Sequence, residues 1–204
     1  MAEYGYSNAE LACSSSYILP VIRQELEGLP PGSVVLDLGC GNGSLLAAFR
    51  SRGWVLQGLE ISNSGLAEAR QAYPDIEFHC ADLTTDLKCH PLAGRCNAVI
   101  STEVVEHLLL PRMYAQNCFD FLASNGRLII STPYHGYLKN LALAVAGATD
   151  AHFTALWDCG HIKFWSKSTL SSLLSEAGFV VDRFVGVGRV PFLWKSMILV
   201  ARKP

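Results

Sequence analysis

Apolar residues along the chain form short continuous runs in some places and follow helical spacing in others. Residues 34–36 are a continuous apolar run rich in β-branched side chains, as in a strand buried on both faces. Residues 44–50 then carry apolar side chains at helical spacing. Between them stand Gly39, Gly41 and Gly43, which let the backbone bend sharply. The pattern predicts a strand, a glycine-rich turn and a helix.

The same patterns predict six more strands, with helices before and between them. Further strands are expected over residues 54–59, 76–80, 96–101, 127–132, 179–187 and 193–201. Helices are expected over residues 11–26, 44–52, 63–73, 113–122 and 166–174. The stretch 134–163 interrupts this alternation, and within it one helical face is apolar: Leu138, Leu141, Ala142 and Val145. That face suits a lid over an active site, a simply packed helix, or a peripheral membrane contact through residues 138–148.

Length and cysteine usage bound the organisation of the chain. A chain of 204 residues predicts one domain over 1–204, with a leading helical segment at 1–30, packed on the sheet edge, and a lid-like insertion at 134–163. Seven cysteines without a C-x-x-C pair predict reduced, mostly buried thiols. The N-terminal residues do not resemble a secretory signal, and the longest apolar stretch is far below the roughly 20 residues of a membrane span. We therefore expect a cytoplasmic protein.

The charge is small overall but unevenly distributed. A net charge of −2 argues against a nucleic-acid partner. Residues 1–120 hold 7 basic and 14 acidic side chains, whereas residues 121–204 hold 9 and 4. This asymmetry fits a basic rim near a substrate entrance, and it fits equally well a set of scattered, solvated lysines.

The glycine-rich turn follows an acid, Asp37, and has the spacing G-x-G-x-G rather than the G-x-G-x-x-G of dinucleotide-binding turns. An acid at this point would repel a pyrophosphate and suit a cation. The motif resembles the first motif of class I S-adenosylmethionine-dependent methyltransferases, and the resemblance covers most of the chain. It implies an α/β fold: a Rossmann-like, doubly wound, seven-stranded and mostly parallel sheet with an antiparallel last strand and helices on both faces.

The resemblance also implies which residues bind the cofactor, S-adenosylmethionine. Glu60 stands at the carboxyl end of the second strand, where a carboxylate can accept both hydroxyls of a ribose. Ile61 would cover one face of the adenine, and Asp82 would receive its amino group with Leu83 as an apolar neighbour. Without the resemblance, Glu60 could be a solvated charge and Asp82 a turn residue. The other expected cofactor-binding residues are Asp37, Gly39, Cys40, Gly41, Gly43 and Ser101.

The most informative stretch for chemistry is TEVVEHLLL at residues 102–110. On a helix, Glu103, Glu106 and His107 would share one face. Acids in the first helical turn also meet the helix dipole favourably, so a purely structural role is open. Two carboxylates and an imidazole at one point repel each other unless a cation or a proton lies among them.

Two branches of the superfamily show a similar order of motifs: E-x-x-E-H, then S-T-P, then an insertion ending in H-x-x-F. The chain resembles the ubiquinone-pathway O-methyltransferases through STPYHGYLKNLALAVAGA and HIKF, and it resembles the small-RNA 2′-O-methyltransferases through the acids and histidines. In the second branch two glutamates and two histidines bind a divalent ion. The resemblance implies Glu103, Glu106, His107 and His161 as ligands, with His161 preferred to His152 because it directly precedes the IKFW segment.

These features together predict an S-adenosylmethionine-dependent methyltransferase acting on a hydroxyl oxygen of a small molecule. Glu103, His107 and His161 are the predicted catalytic residues, either with a divalent ion (Mg, Mn, Fe or Co) or with a histidine as general base. The alternatives are a metal-free N- or C-methyltransferase of a small molecule and a non-catalytic cofactor-binding module. The sequence leaves the acceptor and the oligomeric state open.

Overall fold

The apolar runs form one seven-stranded sheet in the computed structural model, which describes residues 5–204. In chain order the strands are β1 (Val34–Leu38), β2 (Val55–Glu60), β3 (Glu77–Cys80), β4 (Cys96–Thr102), β5 (Leu122–Pro133), β6 (Val180–Val187) and β7 (Ser196–Arg202). The helices are α1 (Ser15–Glu25), α2 (Ser44–Ala47), α3 (Asn63–Ala72), α4 (Pro111–Phe121), α5 (Tyr137–Val145), α6 (Thr149–Phe153) and α7 (Lys167–Glu176), and two short 3₁₀ turns cover Arg50–Arg52 and Val105–His107.

The strand order across the sheet is β3-β2-β1-β4-β5-β7-β6, and only β7 runs antiparallel to its neighbours. In register, Asp37 of β1 lies opposite Gly58 of β2 and Ile100 of β4. The chain leaves β1 towards β2 and crosses back to β4, so a crevice opens beyond the carboxyl ends of these strands. The predicted fold class is confirmed.

Alternate side chains of the strands divide the core into two parts. Leu36 packs on one face with α4 and α7, whereas Val35 packs on the other face with α1, α2 and α3. The α1 helix contacts β5 in the interior of the sheet, so its expected place at the sheet edge was wrong. Ile18 and Ile22 of α1 are almost completely buried against the Val35 face of the sheet, and the burial of these apolar side chains stabilises the helix there.

The stretch after β4 is where the predicted secondary structure fails most clearly. Residues 102–110 were expected to be helical, but they form only the single 3₁₀ turn Val105–His107. Glu103 has a positive φ of 56°, and Pro111 begins a separate helix. The β-branched Thr102, Val104 and Val105 lose side-chain freedom in a helix, and the strand β4 retains Thr102. Glu103 therefore does not share a helical face with the residues that follow.

Smaller differences concern the insertion and the cysteines. Leu138, Leu141 and Val145 of α5 are exposed, whereas Lys139 of the same helix is only 5% exposed. The short α6 was not predicted. Cys40, Cys96 and Cys118 are buried, but Cys13, Cys80, Cys89 and Cys159 are exposed, so the expectation of mostly buried thiols was wrong. Within residues 5–204, no helix has the length and apolar character needed to cross a membrane.

Candidate active site

The glycine-rich turn after β1 has a left-handed backbone at each of its three glycines. Gly39, Gly41 and Gly43 have φ values of 78°, 54° and 74°, which other residues rarely adopt. A Cβ atom on Gly39 would lie 2.5 Å from Cγ2 of Val104. The turn after β1 therefore touches the segment after β4, and only glycine permits this approach.

Glu60 fixes the shape of this turn from the end of β2. Its Oε2 accepts a hydrogen bond of 2.8 Å from the backbone N–H of Gly41. Its Oε1 accepts hydrogen bonds of 2.8 Å from the N–H groups of Ile61 and Ser62, at the start of α3. The side chain is buried, so it is not the solvated charge that the sequence left open. Its role towards a ribose stays a prediction.

Asp37 is the most unusual carboxyl group of the turn. It is 1% exposed, and its Oδ1 has no hydrogen-bond partner among the residues that the structure describes. Burial, and secondarily the charge of Glu60, raises its pKa to about 7. A buried, unpaired carboxylate oxygen is expensive, and a cationic group of a ligand would remove that cost. This observation fits the expected cation better than it fits a phosphate.

The remaining predicted cofactor residues surround this turn. Ser101 is buried and its Oγ donates to the carbonyl of Leu38 at 2.6 Å. Asp82 accepts from the N–H and the Oγ1 of Thr84 at 2.8 and 2.6 Å, so it does act as a turn residue. Leu83 and Cys40 are buried, and Ile61 is 54% exposed. The predicted contacts of Ile61, Asp82 and Leu83 with an adenine are not tested by these positions.

An N-terminal segment that the sequence did not single out lies over the turn. The side-chain amide of Asn42 donates to the carbonyls of Asn8 and Glu10, both at 2.9 Å. A Cβ on Gly41 would lie 2.5 Å from the hydroxyl of Tyr6. These contacts join residues more than 30 positions apart, and the segment has no apolar periodicity that would have indicated them.

Next to the turn, the structure brings together three of the four predicted metal ligands. One side-chain donor atom from each of Glu106, His107 and His161 lies within 4.8 Å of the other two. Glu106 is 1% exposed: its Oε2 accepts from Oγ1 of Thr132 at 3.0 Å, and its Oε1 has no hydrogen-bond partner among the described residues. The unpaired Oε1 lies 3.9 Å from Nε2 of His107. We call these three residues the acid–histidine group.

Backbone hydrogen bonds bring His161 to this group from the far end of the insertion. The N–H groups of Ile162 and Lys163 both donate to the carbonyl of Glu106 at 2.9 Å. Nδ1 of His107 lies 2.9 Å from the carbonyl of Cys159, and because a carbonyl can only accept, this nitrogen carries the hydrogen. Nε2 of His107 is then the nitrogen with a free lone pair, as in histidines that bind metals.

His161 rather than His152 belongs to the group, in agreement with the preference drawn from the sequence. The His152 ring instead lies 5.5 Å from the ring of His135, centroid to centroid. Burial, followed by the charge of His107, lowers the pKa of His161 to about 4. Its imidazole is therefore neutral near pH 7 and has a lone pair that can bind a cation.

Glu103 lies outside the acid–histidine group, which corrects the predicted set of four. Its Oε1 accepts from Oγ of Ser131 at 2.8 Å and its Oε2 from Oγ of Ser196 at 3.2 Å. The cause is the missing helix, since the left-handed backbone at Glu103 turns its side chain towards β5 and β7. Burial raises the pKa of Glu103 to about 7, and burial together with the charge of Glu103 raises the pKa of Glu106. The two carboxyl groups thus oppose each other's ionisation.

Comparison with known proteins identifies the family of this chain. The family described as "Methyltransferase domain" matches residues 15–183. A ubiquinone biosynthesis O-methyltransferase of Bradyrhizobium diazoefficiens is 29% identical over 169 residues, which are 79% of this chain and 64% of the relative. One from Pseudomonas aeruginosa is 28% identical over 161 residues, covering 76% of this chain and 68% of the relative.

Solved structures show the same fold. The magnesium protoporphyrin IX methyltransferase of Synechocystis, solved with bound SAH, has a TM-score of 0.70 at 22% identity and covers 98% of this chain and 91% of its own. The chain spans 64% of the length of the Bradyrhizobium relative. Because the family match extends over most of the sequence and agrees with the observed sheet, this chain belongs to the methyltransferase domain family.

Proposed function

We propose that this methyltransferase transfers a methyl group from S-adenosylmethionine to a hydroxyl oxygen of a small molecule. One observation carries the proposal: Gly39 packs directly on Val104. The turn that would hold the methyl donor therefore adjoins the segment that carries the acid–histidine group. Donor and proton acceptor would meet in the crevice at the carboxyl ends of the strands.

The residues of the turn fit the cofactor. The unpaired Oδ1 of Asp37 suits the cationic part of S-adenosylmethionine. Glu60 stands at the end of β2, and the lone pairs left on its two oxygens would accept from a ribose. When bound, the cofactor supplies a methyl group activated by a positive sulfur. The protein then contributes mainly alignment, because the transfer is an in-line displacement.

The acid–histidine group suits the removal of a proton from the acceptor hydroxyl. Glu106 has one free buried oxygen, and His107 presents the lone pair of Nε2 towards it. His161 stays neutral near pH 7 because burial and His107 lower its pKa to about 4, so it is a weak base and suits a bound cation better than it suits uptake of the proton. Glu103, held by two serine hydroxyls, stands beside this group as a further carboxyl.

The same three donors fit a divalent cation. One carboxylate and two imidazoles suit Mn, Fe or Co better than Mg, which prefers oxygen ligands. Such an ion would lower the pKa of a bound hydroxyl and fix its orientation. Vicinal hydroxyls, as on a catechol, could both reach it. The names of the curated relatives support transfer to oxygen, at the modest identity given above.

The test measures transfer from radiolabelled S-adenosylmethionine to a panel of catechols, with and without EDTA. We expect turnover on a catechol oxygen, loss of it with EDTA and recovery on adding Mn²⁺. Turnover that survives chelation, with the label on nitrogen or carbon, would favour the metal-free alternative. Tight cofactor binding without transfer to any acceptor would favour a non-catalytic module.

A further inference from the structure

A cleft of about 440 Å³ lies between α5 and the loop that joins β6 to β7. Its lining combines two cations with aliphatic side chains: Lys139, Arg189, Ala142, Leu143, Val190 and Leu193. The volume is within the range of small-molecule pockets, which are mostly apolar with a few placed polar groups. We call it the cationic cleft.

The cationic cleft lies at the same edge of the sheet as the acid–histidine group. β5 ends at Pro133, β6 ends at Val187 and β7 begins at Ser196, so all three contribute to the edge where the other strands end. Nζ of Lys139 donates to the carbonyls of Tyr134 and Lys195 at 2.8 and 3.4 Å. The next residue, Ser196, donates to Glu103. A path of contacts therefore runs from Lys139 through Lys195 and Ser196 to Glu103, the carboxyl beside the acid–histidine group.

The two cations of the cleft lack an anionic partner. Across residues 5–204, neither Lys139 nor Arg189 forms an ion pair, although Lys139 is only 5% exposed. Burial, and after it the charge of Arg189, lowers the pKa of Lys139 to about 8, while Glu103 acts in the opposite direction. Both cations also lower the pKa of His152, after burial. Two positive groups that line one cleft together with aliphatic side chains form a site in which an anion would be stabilised.

Resting on the proposed function, we propose that the methyl acceptor carries an anionic group, a carboxylate or a phosphate ester, next to an apolar portion. Lys139 and Arg189 hold the anion, and Leu143, Val190 and Leu193 contact the apolar portion. The acceptor hydroxyl then lies towards the acid–histidine group. A neutral acceptor of the same size would leave both cations unpaired, so the cleft selects for charge as well as shape.

Equilibrium binding tests this without any turnover. The probes are decanoate, decyl phosphate and decanol, titrated calorimetrically into the wild-type protein, Arg189→Gln and the control Arg52→Gln, whose arginine is exposed and outside the cleft. We expect one of the two anions to bind about tenfold or more tightly than decanol, and Arg189→Gln to remove about tenfold of that preference, as for the loss of a charged hydrogen bond. The comparison of decanoate with decyl phosphate identifies the anion.

A turnover arm separates this inference from the proposed function. For a catechol bearing an alkyl carboxylate and for its methyl ester, the ratio of kcat/KM should favour the acid and fall about tenfold in Arg189→Gln but not in Arg52→Gln. Methyl transfer with no preference for the anion in either arm overturns the cationic cleft and leaves the proposed function standing. Failure to methylate any acceptor overturns the proposed function. It also overturns the inference that the anion bound in the cationic cleft belongs to a methyl acceptor. Binding to anionic phospholipid vesicles that depends on Arg189, without a preference for the soluble anions, overturns the inference in favour of a lipid surface.

Discussion

The buried carboxyl group of Asp37 gives the sharpest prediction. In the folded protein its pKa is about 7, against 3.8 for an ordinary aspartate, because burial and Glu60 disfavour the charge. Between these two pKa values the folded state holds a proton that the unfolded chain has released. The free energy of unfolding therefore decreases as the pH rises from 3.8 to about 7. Fully ionised, the group destabilises the fold by about 4 kcal/mol.

Asp37→Asn keeps the shape and removes this charge. In the wild type, the raised pKa of Asp37 lowers the free energy of unfolding by about 2 kcal/mol at about pH 5.5 and by about 4 kcal/mol at about pH 8.5. The difference in unfolding free energy between the variant and the wild type should thus shift in favour of the variant by about 2 kcal/mol over this interval. Any cost of burying the amide is the same at both values of pH, so it cancels.

Urea denaturation of the ligand-free protein at both values of pH measures this, with Glu27→Gln, an exposed carboxyl, as the control. Asp37→Asn should also bind S-adenosylmethionine about tenfold or more weakly than the wild type, because it loses the carboxylate that would face the cationic ligand. A difference in stability that does not change with pH would refute the argument that Asp37 is buried as an unpaired acid. An unchanged cofactor affinity would refute its role at the turn.

Three further predictions follow from the structure. Glu60→Gln should weaken binding of the cofactor by about tenfold or more in calorimetry, because the carboxylate orients the turn and is expected to accept from the ribose; unchanged affinity would contradict this. His161→Ala should lower Mn²⁺ affinity by at least about tenfold, whereas His152→Ala should leave it unchanged, and equal isotherms for both variants would remove the basis for a metal. Ser166→Ala should lower the unfolding free energy by about 1 kcal/mol in urea titrations, because Ser166 forms a capping box with Thr169 at the start of α7, and it should leave cofactor binding intact.

The sequence predicted the strands and the glycine-rich turn well because both depend on local signals. Apolar runs fix where β1 and β4 lie to within one or two residues, and the glycine spacing fixes the turn since only glycine tolerates its φ values. It also selected His161, because the motif order places it beside an aromatic segment that the structure ties to Glu106.

What the sequence missed depends on contacts between distant parts of the chain. The spacing of Glu103, Glu106 and His107 suggested a helix, but β-branched neighbours and the pairing of β4 favoured an extended chain up to Thr102. Lys139 stands in a mostly apolar helix, and nothing local indicates that its ammonium group meets the carbonyls of Tyr134, just after β5, and Lys195, just before β7.

The carbonyl of Glu106, which accepts from two successive amides of residues 162 and 163, has a mechanical consequence for the insertion. The N–H of His135 donates to the carbonyl of Trp165 at 3.0 Å, so both ends of the excursion are clamped to the same short stem. The bonds at Glu106 hold His161 beside Glu106 and His107 without involving α5 or α6. Breaking the two hydrogen bonds at the carbonyl of Glu106 would release His161 from Glu106 and His107. The acid–histidine group therefore depends on two hydrogen bonds to a single carbonyl oxygen.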